Sequence, residues 1–137
     1  MKIKILVDNN TLIDHYYLGE PGFSLLLQEE GRYILFDTGY SDVLVKNAEK
    51  MNIDLSRIDT IIFSHGHNDH TAGLKHLLFL KQDIDIYCHP DCMDKKVYQG
   101  LEVGCPFDLK SLPKNFHVHF RKESFNITDK LVYMGEI

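Results

Sequence analysis

Ser64-His65-Gly66-His67-Asn68-Asp69-His70-Thr71-Ala72-Gly73 is the stretch around which the rest of the chain is arranged. It sets three imidazoles and a carboxylate within six residues, His65 to His70, directly after the apolar run Thr60-Ile61-Ile62-Phe63. Neutral imidazole is the commonest protein ligand for zinc, and carboxylate completes mixed nitrogen and oxygen sites. Residues two apart in an extended segment point the same way, so His65 and His67 are placed to grip one ion. Asp69 and His70 lie beyond them, where a turn aims both at a second ion. Two ions about 3.5–4 Å apart activate water and clamp an oxyanion during hydrolysis. The competing reading is a polar loop that is merely rich in His.

Upstream, Phe36-Asp37-Thr38-Gly39 closes a strand. Asp37 can accept hydrogen bonds from a metal-bound imidazole or from backbone amides, and such a carboxylate fixes the tautomer of the ligating ring. A plain Asx-type turn is the alternative. These two motifs together with Val7-Asp8-Asn9-Asn10, Gly22-Phe23-Ser24-Leu25-Leu26 and His89-Pro90-Asp91 resemble the metallo-β-lactamase superfamily. They are most similar to the branch that contains dihydropterin–ribofuranosylaminobenzene-phosphate synthase. The resemblance runs along nearly the whole chain, but the chain supplies only about the N-terminal half of that family's domain.

What the resemblance implies is an α/β (α+β) fold, the metallo-β-lactamase αββα sandwich, with residues 1–137 as its N-terminal half, truncated or split. It implies metal ligands His65, His67, Asp69 and His70, with Asp69 also orienting the attacking water and Asp37 behind the ligands. Zinc is the expected metal, as one or two ions, with iron or manganese the alternatives. The implied activity is metal-dependent hydrolysis of a small-molecule ester or phosphoester, phosphorylated pterin-type precursors included. The family's later ligands, a third His for the first metal, a bridging Asp and a last His, have no counterpart after His70. A catalytically incomplete half-domain that dimerises or binds a partner is therefore the other reading. Half a sandwich is expected to leave one sheet face open to water, so a homo-oligomer or association with the missing C-terminal half is expected.

Composition bounds the rest. At 137 residues the chain is one domain at most, and its 44% apolar and 26% charged content is ordinary for a globular protein. A formal net charge of −5 without a Lys/Arg cluster argues against a nucleic-acid footprint. No apolar run reaches the roughly 18 residues of a membrane span. The N-terminal Met1-Lys2-Ile3-Lys4-Ile5-Leu6-Val7-Asp8 meets acid too early for a signal peptide. Three cysteines, Cys88, Cys92 and Cys105, suit free thiols in a reducing cytoplasm.

Along the chain, alternation predicts a strand at residues 2–7 with Ile3, Ile5 and Val7 inward. A second at 23–28 turns through Glu29-Glu30-Gly31-Arg32 into a third at 33–36. Ser41 or Asp42 caps a helix that buries Leu44, Ala48 and Met51. Residues 60–63 form a strand buried on both faces, and a helix starting at Thr71 or Ala72 buries Leu74, Leu77 and Leu78. Further strands are expected at 83–87, 116–120, 125–128 and 131–134, with a short helix at 91–98. Residues 100–113 read as a lid or a connector. His117-x-His119 repeats the spacing of the first pair, but Phe116, Val118 and Phe120 take the other face, so strand alternation accounts for it. Cys88, His89 and Cys92 lack a nearby fourth ligand and read as buried small side chains at a junction.

Overall fold

The computed structural model describes residues 1–12 and 14–136. The strands are β1 (Lys2–Val7), β2 (Ser24–Glu29), β3 (Arg32–Phe36), β4 (Thr60–Ile62), β5 (Ile84–Cys88), β6 (Val97–Tyr98), β7 (Leu101–Glu102), β8 (Phe116–Phe120), β9 (Phe125–Thr128) and β10 (Leu131–Tyr133). The helices are α1 (Val43–Lys50) and α2 (Asn68–Thr71), and short 3-10 turns fill several connections. Six strands form one sheet in the order β1-β2-β3-β4-β5-β8. The first three pair antiparallel, and β3, β4, β5 and β8 run parallel. The β2–β3 turn is tight because Glu30 and Gly31 both take positive φ, 53° and 81°, which matches the twist of the strands they join.

Parallel pairing demands crossovers, and these build the helical layer on one face of the sheet. Val43, Leu44 and Ala48 of α1, with Leu74, Leu77 and Leu80, pack on Leu26, Leu35, Ile61, Ile84 and Ile86. The other face carries Leu27, Ile34 and Ile62, and there the β9–β10 hairpin lays Ile127, Leu131 and Tyr133 over them. Arg32 pins the hairpin by donating from Nη1 to the Ile127 carbonyl at 3.1 Å. The second face is thus capped over its centre by the chain itself, where the sequence leads one to expect it open. No helix among the described residues is long and apolar enough to cross a membrane.

Three expectations need correction. Ile3 and Ile5 are 57% and 51% exposed, whereas Leu6 and Val7 are buried. A register shift between Ile5 and Val7 breaks the alternation and turns two successive residues to the core. The helix after the His loop starts earlier than Thr71, as α2 from Asn68, and tightens into a 3-10 turn over Ala72–His76, so His70 lies inside it. Leu74 and Leu77 are nonetheless fully buried. Residues 91–98 make no helix. A single 3-10 turn, Pro90–Met93, gives way to β6, because Cys92 is the only residue of that turn the core buries and nothing apolar repeats at helical spacing beyond it. Ile137, the last residue of the chain, lies outside the described residues.

Candidate metal centre

The carboxyl ends of β3, β4 and β5 open on the same edge of the sheet, where sites in mixed sheets collect. Asp37 follows β3, Ser64 to His70 follow β4, and His89 follows β5. Asp37 is fully buried with φ at +54°, a left-handed conformation that Asp tolerates better than most residues. Its carboxylate is the hub. Oδ1 accepts from the Ser64 N–H at 2.8 Å, and Oδ2 accepts from the Ser64 hydroxyl at 2.7 Å. Oδ2 also lies 2.8 Å from His70 Nδ1.

These contacts set the tautomers. His70 donates its Nδ1–H to Asp37, which leaves a lone pair on Nε2. Ser64 spends its own proton on Asp37, so its oxygen accepts from His65 Nδ1–H at 2.9 Å, and His65 likewise presents a bare Nε2. His65 Nε2 meets His67 Nδ1 at 3.1 Å. That spacing is near the roughly 3.3 Å edge of a tetrahedron built on Zn–N bonds of about 2.0–2.1 Å. Asp69 Oδ2 lies 3.6 Å from His70 Nε2, and one donor atom each of His65, Asp69 and His70 gathers within 4.8 Å. The donor set, neutral nitrogens with one carboxylate, fits zinc, iron or manganese. Burial first, then the nearby His70 and His67, push His65 below the ordinary imidazole pKa, which keeps its lone pair free near neutral pH.

The loop does not hold this shape by extension. His65 and His67 meet through a bend, with ring planes at 84°. Gly66 lets the bent loop lie against the Cys92 carbonyl, whose oxygen would be 2.0 Å from a Cβ there. At the other end Gly22, at φ +137°, takes the Asp69 carbonyl oxygen to 2.3 Å of where its Cβ would stand. The carbonyl of His70 accepts from both the N–H and the hydroxyl of Thr38, at 2.7 and 3.0 Å. Residues 94–104 settle beside the loop, with His67 bridged to Gly104 and the Asn68 N–H donating to the Val103 carbonyl.

The structure therefore gathers His65, Asp69 and His70 at one point, with His67 joined to them through His65 and Asp37 behind His70 and Ser64. His65 touches both of the pairs that spacing alone separates. Ser64 and Thr38 join this arrangement through their hydrogen bonds; both stand in the quoted motifs, but the sequence assigns neither a role. Cys88 and Cys92 are buried, and a hydrogen bond between them followed by burial raises the Cys92 thiol pKa, so Cys92 does not offer the thiolate a metal needs. His117 and His119 turn instead to Asp83 and Asp85, at 3.1 and 2.7 Å.

A family model described as the metallo-beta-lactamase superfamily matches residues 17–98. An uncharacterised protein of Methanocaldococcus jannaschii is 27% identical over 98% of this chain and 53% of its own length. From the same organism, 7,8-dihydropterin-6-methyl-4-(beta-D-ribofuranosyl)-aminobenzene-5'-phosphate synthase is 33% identical over 66% of this chain and 33% of its own. A crystal structure of a metal-dependent hydrolase of the beta-lactamase superfamily superposes with a TM-score of 0.76 at 30% identity, over 95% of this chain and 46% of that one. The chain thus spans about half the length of that structure and of the first relative.

Proposed function

This chain belongs to the metallo-β-lactamase superfamily, and from that premise we propose that it carries the His-loop part of a metal-dependent hydrolase acting on a small-molecule ester or phosphoester. The supporting observation is the clustering of His65, Asp69 and His70, with His67 Nδ1 beside His65 Nε2 and two of the rings tied back to Asp37. In this reading His65 and His67 hold one metal ion, and Asp69 and His70 a second. Bound there, zinc, iron or manganese supplies Lewis acidity that makes water a nucleophile near neutral pH and offsets oxyanion charge. Asp37 keeps protons on the outer nitrogens, directly on His70 and through Ser64 on His65, so both rings stay aimed inward. Asp69, half-buried and acceptor-only when ionised, is the carboxylate placed to take a hydrogen bond from the attacking water.

A second reading is a half-domain that acts only with a second copy or with the remainder of a sandwich. The donor count favours it. Each catalytic zinc takes three protein ligands beside its open position, and the loop offers two per ion. Light scattering and elemental analysis of one purified sample decide between them. Tightly held metal, together with hydrolysis of a chromogenic ester or phosphodiester that a chelator abolishes, supports the enzyme. A metal-free, inert protein overturns it.

A further inference from the structure

His89-Pro90-Asp91 plays no part in the ligand loop, yet His89 sits on the same sheet edge, one strand over from Ser64. It walls a cavity of about 360 Å³ whose lining also includes Ser64, His65 and Gly66 on one side and Lys96, Tyr133 and Glu136 on the other. The Asp91 N–H donates to His89 Nδ1 at 3.1 Å, so Nδ1 carries the lone pair and Nε2 the proton. That Nε2–H is buried and has no hydrogen-bond partner among the described residues. Buried donors are nearly always paired, and an unpaired one beside a candidate active site calls for a ligand acceptor.

What faces the donor identifies the acceptor's chemistry. Glu136 Oε2 stands 3.5 Å from His89 Nε2 and 3.5 Å from Lys122 Nζ. A charge-assisted hydrogen bond closes to about 2.7–2.9 Å, so one carboxylate oxygen hovers between two donors without bonding tightly to either. Glu136 and Lys122 are both more than half exposed and free to swing. The one carboxylate near the opposite ring edge, Asp91 Oδ2 at 3.7 Å from Nδ1, points largely to solvent.

We propose that this cavity is an anion subsite adjoining the metal loop. His89 Nε2–H and the Lys122 ammonium take an oxygen of a phosphate or carboxylate on the non-reacting part of the substrate, and the Glu136 carboxylate occupies that place until the substrate displaces it. The anion's belonging to a substrate rests on the hydrolase reading; the subsite itself does not. It makes the preferred substrate an anionic one, anchored beside the reacting bond.

The test uses the full chain freed of metal by chelation. Inorganic phosphate and acetate are titrated in separately, and the ring of His89 is followed by proton–nitrogen NMR. A saturable shift at His89 is expected with at least one of them. Phosphate alone marks a phosphorylated substrate and acetate alone a carboxylated one. Glu136→Gln should tighten that anion about tenfold, because it removes the competing charge, and His89→Gln should weaken it about tenfold. The subsite is overturned if neither anion moves His89, or if Glu136→Gln binds no more tightly than the parent. That last comparison decides the matter even where His89→Gln fails to fold. A protein that binds phosphate at His89 but no metal keeps the subsite and loses the hydrolase reading, and the reverse result does the opposite.

Discussion

Two His-x-His pairs occur in this chain, and they are put to opposite uses. Along β8, His117 and His119 share a face, but a strand holds such residues about 6.8 Å apart. Each ring therefore finds its own carboxylate near β5, Asp83 for His117 and Asp85 for His119. At His65 and His67 the backbone bends at Gly66, the rings turn nearly perpendicular, and their nitrogens close to 3.1 Å. The spacing is the same. Convergence comes from the bend and from the buried carboxylate behind it, and the β8 pair has neither.

Removing each pair breaks this comparison most directly. His65→Ala with His67→Ala is expected to abolish tightly held metal, a loss of at least about a hundredfold in affinity, since no other described residues replace the missing nitrogens. His117→Ala with His119→Ala should leave the metal content unchanged. Elemental analysis after gel filtration reads both. Equal loss from the two variants would mean that convergence in the fold is not what selects the site.

Next in size is the hub. Asp37→Asn keeps the shape and tolerates the same positive φ, but it loses the charge that holds His70 Nδ1–H and Ser64. Metal affinity should fall by about 10–100-fold, the usual cost of altering a partner behind the ligands. Competition with a chromophoric chelator measures it. An unchanged affinity would show that the rings hold their aim without Asp37. Ser64→Ala removes only the relay to His65 and should cost less, about tenfold at most, while Ser64→Thr keeps the hydroxyl and restores the parent value. The nitrogen shifts of His65 in the metal-free protein give an independent reading. In Ser64→Ala the proton is no longer confined to Nδ1, whereas a merely structural serine would leave it there.

How legible each feature is in the sequence depends on how local it is. The His loop, the Asp37 turn and the buried run 60–63 are contiguous and carry their chemistry in the residue types themselves. The β2–β3 hairpin is readable because Glu30-Gly31 demands a tight turn. The features that escape such a reading depend on partners distant in sequence. Ile3 and Ile5 have the period of buried residues, but β1 is an edge strand and a bulge reverses its facing. Residues 91–98 have some helix-forming composition, yet the His67–Gly104 bridge draws the segment beyond Met93 into the β6–β7 hairpin beside the loop. Ser64 looks like a linker until Asp37, 27 residues upstream, is brought against it. The unpaired Nε2–H of His89 is visible only once β5 stands beside β4.

The smallest effect sharpens the comparison through pH. Burial, with His70 and His67 as neighbours, lowers His65 below its ordinary value of 6.5 in the metal-free protein. Between that lowered value and 6.5 the unfolded chain binds a proton at this position and the folded chain does not. Stability therefore rises with pH across this window. Above 6.5 both states are neutral and His65 contributes nothing to the slope. As pH falls through 6.5 the unfolded state gains, and the penalty is complete once pH drops below the folded pKa. Partial exposure of the ring makes the stability change slight, so the sensitive observable is the His65 proton titration followed by NMR. A midpoint below 6.5 that moves back toward it in His70→Ala or His67→Ala is the expected result, because each substitution removes a like charge from beside the ring. A midpoint at or above 6.5 would mean that the three rings do not crowd one another in solution, and the loop would then differ from His117-x-His119 in little but its place in the sequence.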